Sequence, residues 1–162
     1  MIIDAHAHLW AGNYEQNKAE MIKACEKYDI SKVYVSGLRS AYPNQDEIAE
    51  LNAEVAKAIR EYPNHFGGYC YINPRHENAL DVLKKGVEEQ AMEGVKLWIA
   101  TYCDDPLVFP IVEKCIDLNF PILIHAFRKE VDPLPNETLT THVANLANRY
   151  PEAKILMAHL GG

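Results

Sequence analysis

Ile155-Leu156-Met157-Ala158-His159 runs four apolar residues into a histidine, and Ile122-Leu123-Ile124-His125 runs three into another. Near the start, Ile2-Ile3-Asp4-Ala5-His6-Ala7-His8 ends in two. Read as strands, all three segments place imidazoles at a C-terminal strand end. Residues i and i+2 of a strand share a face, so His6 and His8 stand side by side. His65, His76 and His142 fall instead in loops or on a helix.

Further β-branched runs lie at Lys32 to Leu38, Phe66 to Ile72 and Gly94 to Ala100. The first is read as Ile2 to Leu9, the fifth extends to Phe127, and the sixth covers Lys154 to Leu160. Amphipathic stretches separate them. Ile48, Leu51, Val55 and Ile59 form one apolar helix face; so do Leu107, Ile111 and Cys115, and Leu139, Val143, Leu146 and Ala147. Asn44, Asn136 and the Asp105-Pro106 pair read as helix starts. Tyr62-Pro63 and Tyr150-Pro151 read as stops. Alternating βα units with apolar strands predict a parallel sheet covered by helices. The units recur about every 27 residues, six in the 162-residue chain, with no linker or second domain.

Two architectures compete, an open doubly wound sheet and a (β/α)8 TIM barrel. No Gly-rich phosphate loop follows the first strand, which weakens a dinucleotide-binding sheet. The histidines decide. A closed barrel aims its strand ends at one central point, where active residues gather, whereas an open sheet spreads strands one, five and six apart. The expectation is an α/β, (β/α)8-type barrel with about six units present and residues 1–162 as one domain.

Composition narrows the partners. The chain is 48% hydrophobic and 24% charged, with a net charge of −7. That balance argues against nucleic acid or an anionic membrane, and no apolar run approaches the ~20 residues of a membrane span. The N-terminus lacks the basic and apolar regions of a signal peptide. Cys25, Cys70, Cys103 and Cys115 make no C-x-x-C, and read as reduced, buried thiols of a cytoplasmic protein.

A single strand-end histidine is more often a hydrogen-bonded core group than a ligand; four at one rim point to a metal. Lys96, inside Gly94-Val95-Lys96-Leu97-Trp98, is costly to bury unless paired. It reads as a binder of a substrate carboxylate, or as a carbamylated bridging ligand. Trp10, Trp98, Tyr102 and Arg128 lie just past strand ends, where they line a pocket or merely pack. Asp4 sits one step deeper on the histidines' face and reads as a carboxylate orienting the ligands. Asp104 and Asp105 read as helix caps.

The matches Asp4-x-His6-x-His8, Gly94-Val95-Lys96-Leu97, Ile122-Leu123-Ile124-His125 and Ile155-Leu156-Met157-Ala158-His159-Leu160-Gly161-Gly162 resemble the amidohydrolase superfamily. Within it they resemble the amidohydrolase-2 type of metal-dependent TIM-barrel hydrolases and decarboxylases, across the whole chain. The resemblance implies that His6, His8 and His125 ligate a divalent metal, commonly zinc. It implies that His159 acts as acid or base, and that Lys96, Trp10 and Arg128 face a small, anionic substrate. A hydrolase attacking a carbonyl with metal-activated water is expected first, a decarboxylase on the same scaffold as the alternative. In such barrels a further aspartate after the eighth strand completes the site. A whole barrel takes ~250 residues, so the chain corresponds to the N-terminal portion, lacking the last two units. Little hydrolase activity is expected of it alone, and an inactive metal-binding form is the non-enzymatic reading. An open-sheet binding protein without metal is a third. Exposed edges at strands one and six predict a homo-oligomer.

Overall fold

The computed structural model describes residues 1–162. Strands and helices alternate: β1 (Ile2–Trp10), α1 (Tyr14–Tyr28), β2 (Ile30–Leu38), α2 (Gln45–Glu61), β3 (Phe66–Tyr71), α3 (Ala79–Gln90) and β4 (Gly94–Leu97). They continue as α4 (Phe109–Asp117), β5 (Pro121–Ile124), α5 (Thr140–Arg149) and β6 (Lys154–Met157). Short 3-10 turns precede α4 at Pro106–Val108 and follow β6 at Ala158–Gly161. All neighbouring strands pair in parallel, in the order β1-β2-β3-β4-β5-β6. A doubly wound sheet reverses its order at a switch point; this one never does.

The sheet is curled. The rings of His6, on β1, and His159, just past β6, lie 5.1 Å apart between centroids. In a flat sheet, at about 4.8 Å per strand, five steps would separate them by about 24 Å. The six strands therefore form an arc of a TIM-type barrel, with helices outside. Apolar residues sort into two layers accordingly. Val33, Val35, Cys70, Val95, Leu97, Ile122 and Ile124 face outward onto Val55, Leu83, Ile111 and Leu146 of the helices. Tyr69, Leu123 and Ala158 pack with Tyr34 on the concave side, where the Tyr69 hydroxyl donates to the Ala5 carbonyl at 3.1 Å.

Several local expectations hold. Ile48, Leu51 and Val55 are buried on α2, and Asn44 Oδ1 accepts the Glu47 N–H at 2.9 Å. Asp105 Oδ1 accepts the Leu107 N–H at 2.9 Å. All four cysteines are free and buried, and no helix is long and apolar enough to cross a membrane.

Others are corrected. Asn136 starts no helix; it sits in a left-handed turn at φ 57°, its amide reaching the Ala100 carbonyl. Helix α5 begins at Thr140, where His142 Nδ1 accepts the Leu139 N–H at 3.1 Å. Asp104 caps nothing and instead accepts from Asn145 Nδ2 at 2.9 Å. Leu107 and Leu139 lie before their helices, 49% and 37% exposed, so those apolar faces are shorter than their spacing implies. Strands β4, β5 and β6 end at Leu97, Ile124 and Met157, earlier than their apolar runs. Past β4 and β5 the loops hold each other instead, with Cys103 N–H on Thr138 Oγ1 at 3.1 Å and Phe127 N–H on the Thr138 carbonyl at 3.0 Å, and β6 gives way to the turn at Ala158–Gly161.

Candidate active site

Strand β1 carries an irregularity in its pairing with β2 between Asp4 and Ala7. Asp4 Oδ1 accepts the backbone N–H of His6 at 2.9 Å, so the carboxylate secures this stretch of chain rather than an imidazole. Beyond it, His6 Nε2 and His8 Nε2 meet at 3.0 Å. His8 Nδ1 lies 3.0 Å from the hydroxyl of Ser36, fully buried on β2. Trp10 packs edge-on against His8, with ring centroids 5.8 Å apart, and is 45% exposed at the rim.

From β4, Lys96 reaches Nζ to 3.5 Å from His6 Nε2. It is 1% exposed and has no acidic side chain in salt-bridge contact. Burial alone pushes its pKa down to about 7. Burial first, then the Lys96 charge, lowers His6 to about 4 and His8 to about 3. The pair therefore stays neutral at physiological pH, the form that binds a metal ion.

His125 follows β5, its backbone N–H still bonded to the Leu97 carbonyl at 3.0 Å. Its Nε2 meets Glu137 Oε1 at 2.9 Å. Glu137 is itself buried, accepts the Leu134 N–H at 3.2 Å and lies 3.4 Å from Lys129 Nζ. Burial works against its ionised form, yet the bonds from His125 and Leu134 and the Lys129 charge hold its carboxyl below the usual range. His125 is lowered by burial, with the Glu137 bond opposing.

His159 sits in the turn after β6, in left-handed backbone at φ 57° with Leu160 alongside at φ 53°. Its exposed ring lies 5.1 Å from that of His6, 5.0 Å from that of His125 and 5.4 Å from that of Phe127. Desolvation and then Lys96 lower its pKa.

The rim thus gathers four imidazoles and one lysine from β1, β4, β5 and β6. No three acidic, thiol or imidazole side chains converge as a ready metal cage; His125 turns Nε2 to Glu137. Trp98 stands beside His125, 6.5 Å between ring centroids, while Tyr102 packs on His142. Arg128 is exposed and lines, with Thr140, Leu160 and Gly161, a depression that holds none of the four imidazoles. Sequence reasoning passed over Ser36 and Glu137; neither lies in a recognisable spacing with the histidine it meets.

A family model described as Amidohydrolase matches residues 3–162. The 2-amino-3-carboxymuconate-6-semialdehyde decarboxylase of Dictyostelium discoideum is 26% identical over 132 residues, covering 69% of this chain and 37% of the relative. This chain thus spans well under half of that relative's length. The crystal structure of 2,6-dihydroxybenzoate decarboxylase from Rhizobium superposes with a TM-score of 0.76 at 16% identity, over 99% of this chain and 66% of that one. A dihydroxybenzoic acid decarboxylase from a Polaromonas species, with bound manganese and the inhibitor 2-nitroresorcinol, gives 0.73 at 17% identity, over 99% and 65%. Since the family model runs nearly end to end, through every strand that carries an imidazole of the rim, the chain belongs to the amidohydrolase family.

Proposed function

We propose that this chain carries the metal-binding face of a carbon–carbon lyase that decarboxylates a small, anionic, carboxylated ring or unsaturated acid. Residues 1–162 would act as one barrel-type domain. The observation that carries the reading is Lys96, a lysine buried beside His6 with no carboxylate of residues 1–162 against it. An anion from outside satisfies it.

The donors suit a divalent ion in part. Two nitrogens, each about 2.1 Å from one ion at a right angle, stand about 3 Å apart, as His6 Nε2 and His8 Nε2 do. Ser36 accepting from His8 Nδ1–H would leave the Nε2 lone pair free for the ion. His125, its Nδ1 free of Glu137, would be the third ligand. Imidazole donors suit zinc better than manganese, though manganese is the ion bound in the Polaromonas relative. A bound ion supplies Lewis acidity that orients the substrate and stabilises developing charge.

The chain's own groups do the rest. Lys96 holds an anionic group of the substrate, while Trp10 and Trp98 wall the ring. As the carboxylate carbon leaves as CO₂, the electron pair left on the substrate carbon would take a proton from the imidazolium form of His159, leaving a neutral imidazole. That residue is exposed and reloads from water. Arg128 would need its loop to turn inward to meet the same substrate.

Hydrolysis is the second reading, with His159 accepting the proton of an attacking water. Both share the same histidines, and the match to a decarboxylase at 26% identity favours the first. Self-association and a reducing, cytoplasmic setting complete the proposal, the latter supported by four free buried thiols.

Equilibrium dialysis against Mn²⁺ or Zn²⁺ should load one ion per chain, and His6→Ala or His8→Ala should abolish it. Wild-type protein that takes up no ion overturns the proposal. With dihydroxybenzoates or carboxymuconate-type acids offered, released CO₂ marks the lyase and a ring-opened or cleaved acid marks the hydrolase.

A further inference from the structure

The segment between β5 and α5 leaves the rim at Phe127 and returns at Thr138, where three contacts tie it down. The Phe127 N–H bonds to the Thr138 carbonyl, Thr138 Oγ1 accepts the Cys103 N–H, and the Asn136 amide reaches Ala100. The residue so delivered is Glu137. Its carboxylate is 6% exposed and sits 2.9 Å from His125 Nε2. The Leu134 N–H at 3.2 Å and Lys129 Nζ at 3.4 Å face its two oxygens. With donors on both oxygens it is an acceptor, so the proton of the 2.9 Å contact belongs to His125 Nε2.

We infer that Glu137 is the positioning residue of His125. It holds the proton on Nε2, fixes the ring's rotation and leaves the Nδ1 lone pair as the free donor. A ligating imidazole commonly gives its other N–H to a carboxylate, which sets its tautomer and raises its basicity. The inference rests on the metal reading of the rim for its consequence, and on the 2.9 Å contact alone for its geometry. On the metal reading, His125 would then offer Nδ1 to the ion.

Two measurements on the 162-residue chain test it. In metal-free wild-type protein, ¹⁵N NMR of the imidazoles at neutral pH should show His125 neutral and protonated on Nε2. Protonation on Nδ1 overturns the inference, whether or not the chain binds an ion. Titration with Mn²⁺ should then show Glu137→Gln binding about 10- to 100-fold more weakly than wild type, with unchanged circular dichroism. Glu137→Asp, which keeps a carboxylate acceptor, should recover part of the loss. Glu137→Gln binding as tightly as wild type overturns the inference. Should wild type bind no Mn²⁺ while His125 keeps its proton on Nε2, the metal reading falls and the positioning role stands. Should Glu137→Gln fail to fold, the wild-type NMR result decides.

Discussion

Charging a lysine buried in the concave face of a sheet is expensive, and within residues 1–162 Lys96 has only a neutral imidazole near it. A buried polar group without a full partner costs about 1–3 kcal/mol, and more if charged. That cost is reasonable where the missing partner is a ligand, because active sites trade stability for binding. Lys96→Met keeps the length and apolar stem while removing the charge. It should raise stability by at least about 1 kcal/mol, read as a higher urea midpoint, and it should cost the chain its affinity for a carboxylate ligand. A lower midpoint would mean that Lys96 is already satisfied within the fold, and the argument for an external anion would fail with it.

At the scale of elements, β2 and α2 touch through backbone. A Cβ on Gly37 would lie 2.9 Å from both the Cβ and the carbonyl oxygen of Leu51. A helix carbonyl cannot rotate aside as a side chain can. Gly37→Ala should therefore push α2 off the sheet and destabilise the chain by about 1–3 kcal/mol, measured by chemical unfolding; an unchanged midpoint would show that the contact yields. Approaches of this kind mark what the sequence conceals. The order of strands and helices was legible because apolar runs and helix faces are local patterns. The barrel was legible because His6, His125 and His159 lie at strand ends that only curling unites. Partnerships were not. Ser36 and Glu137 stand 28 and 12 residues from the histidines they meet, and no spacing rule links them. Nor does the sequence reveal where a strand stops when loop-to-loop bonds, such as Cys103 to Thr138, follow it in place of the ladder. Asn136 misleads for a related reason, since asparagine suits a left-handed turn as well as a helix start.

On the scale of residues 1–162 taken together, β1 and β6 each pair on one side only. Both edges are apolar. Ile2 and Ile3 are 52% and 48% exposed, Leu156 and Met157 37% and 38%, and Leu160 93%. Unpaired backbone beside exposed apolar side chains is a template for another chain. Pairing β6 with β6 of a second copy about a two-fold axis is antiparallel and closes as a dimer. Pairing β1 with β6 is parallel and adds copies head to tail, which closes only as a ring. Light scattering behind size-exclusion chromatography should accordingly give a mass above the 18.4 kDa of one chain. A mass fixed near twice that value identifies the two-fold pairing, and one that climbs with concentration identifies the head-to-tail pairing. Charges placed on the edges, Ile3→Lys with Leu156→Lys, should return the protein to a single chain without loss of helix content. A wild-type mass of one chain at all concentrations would show that the curl itself protects both edges, and association would have to be given up.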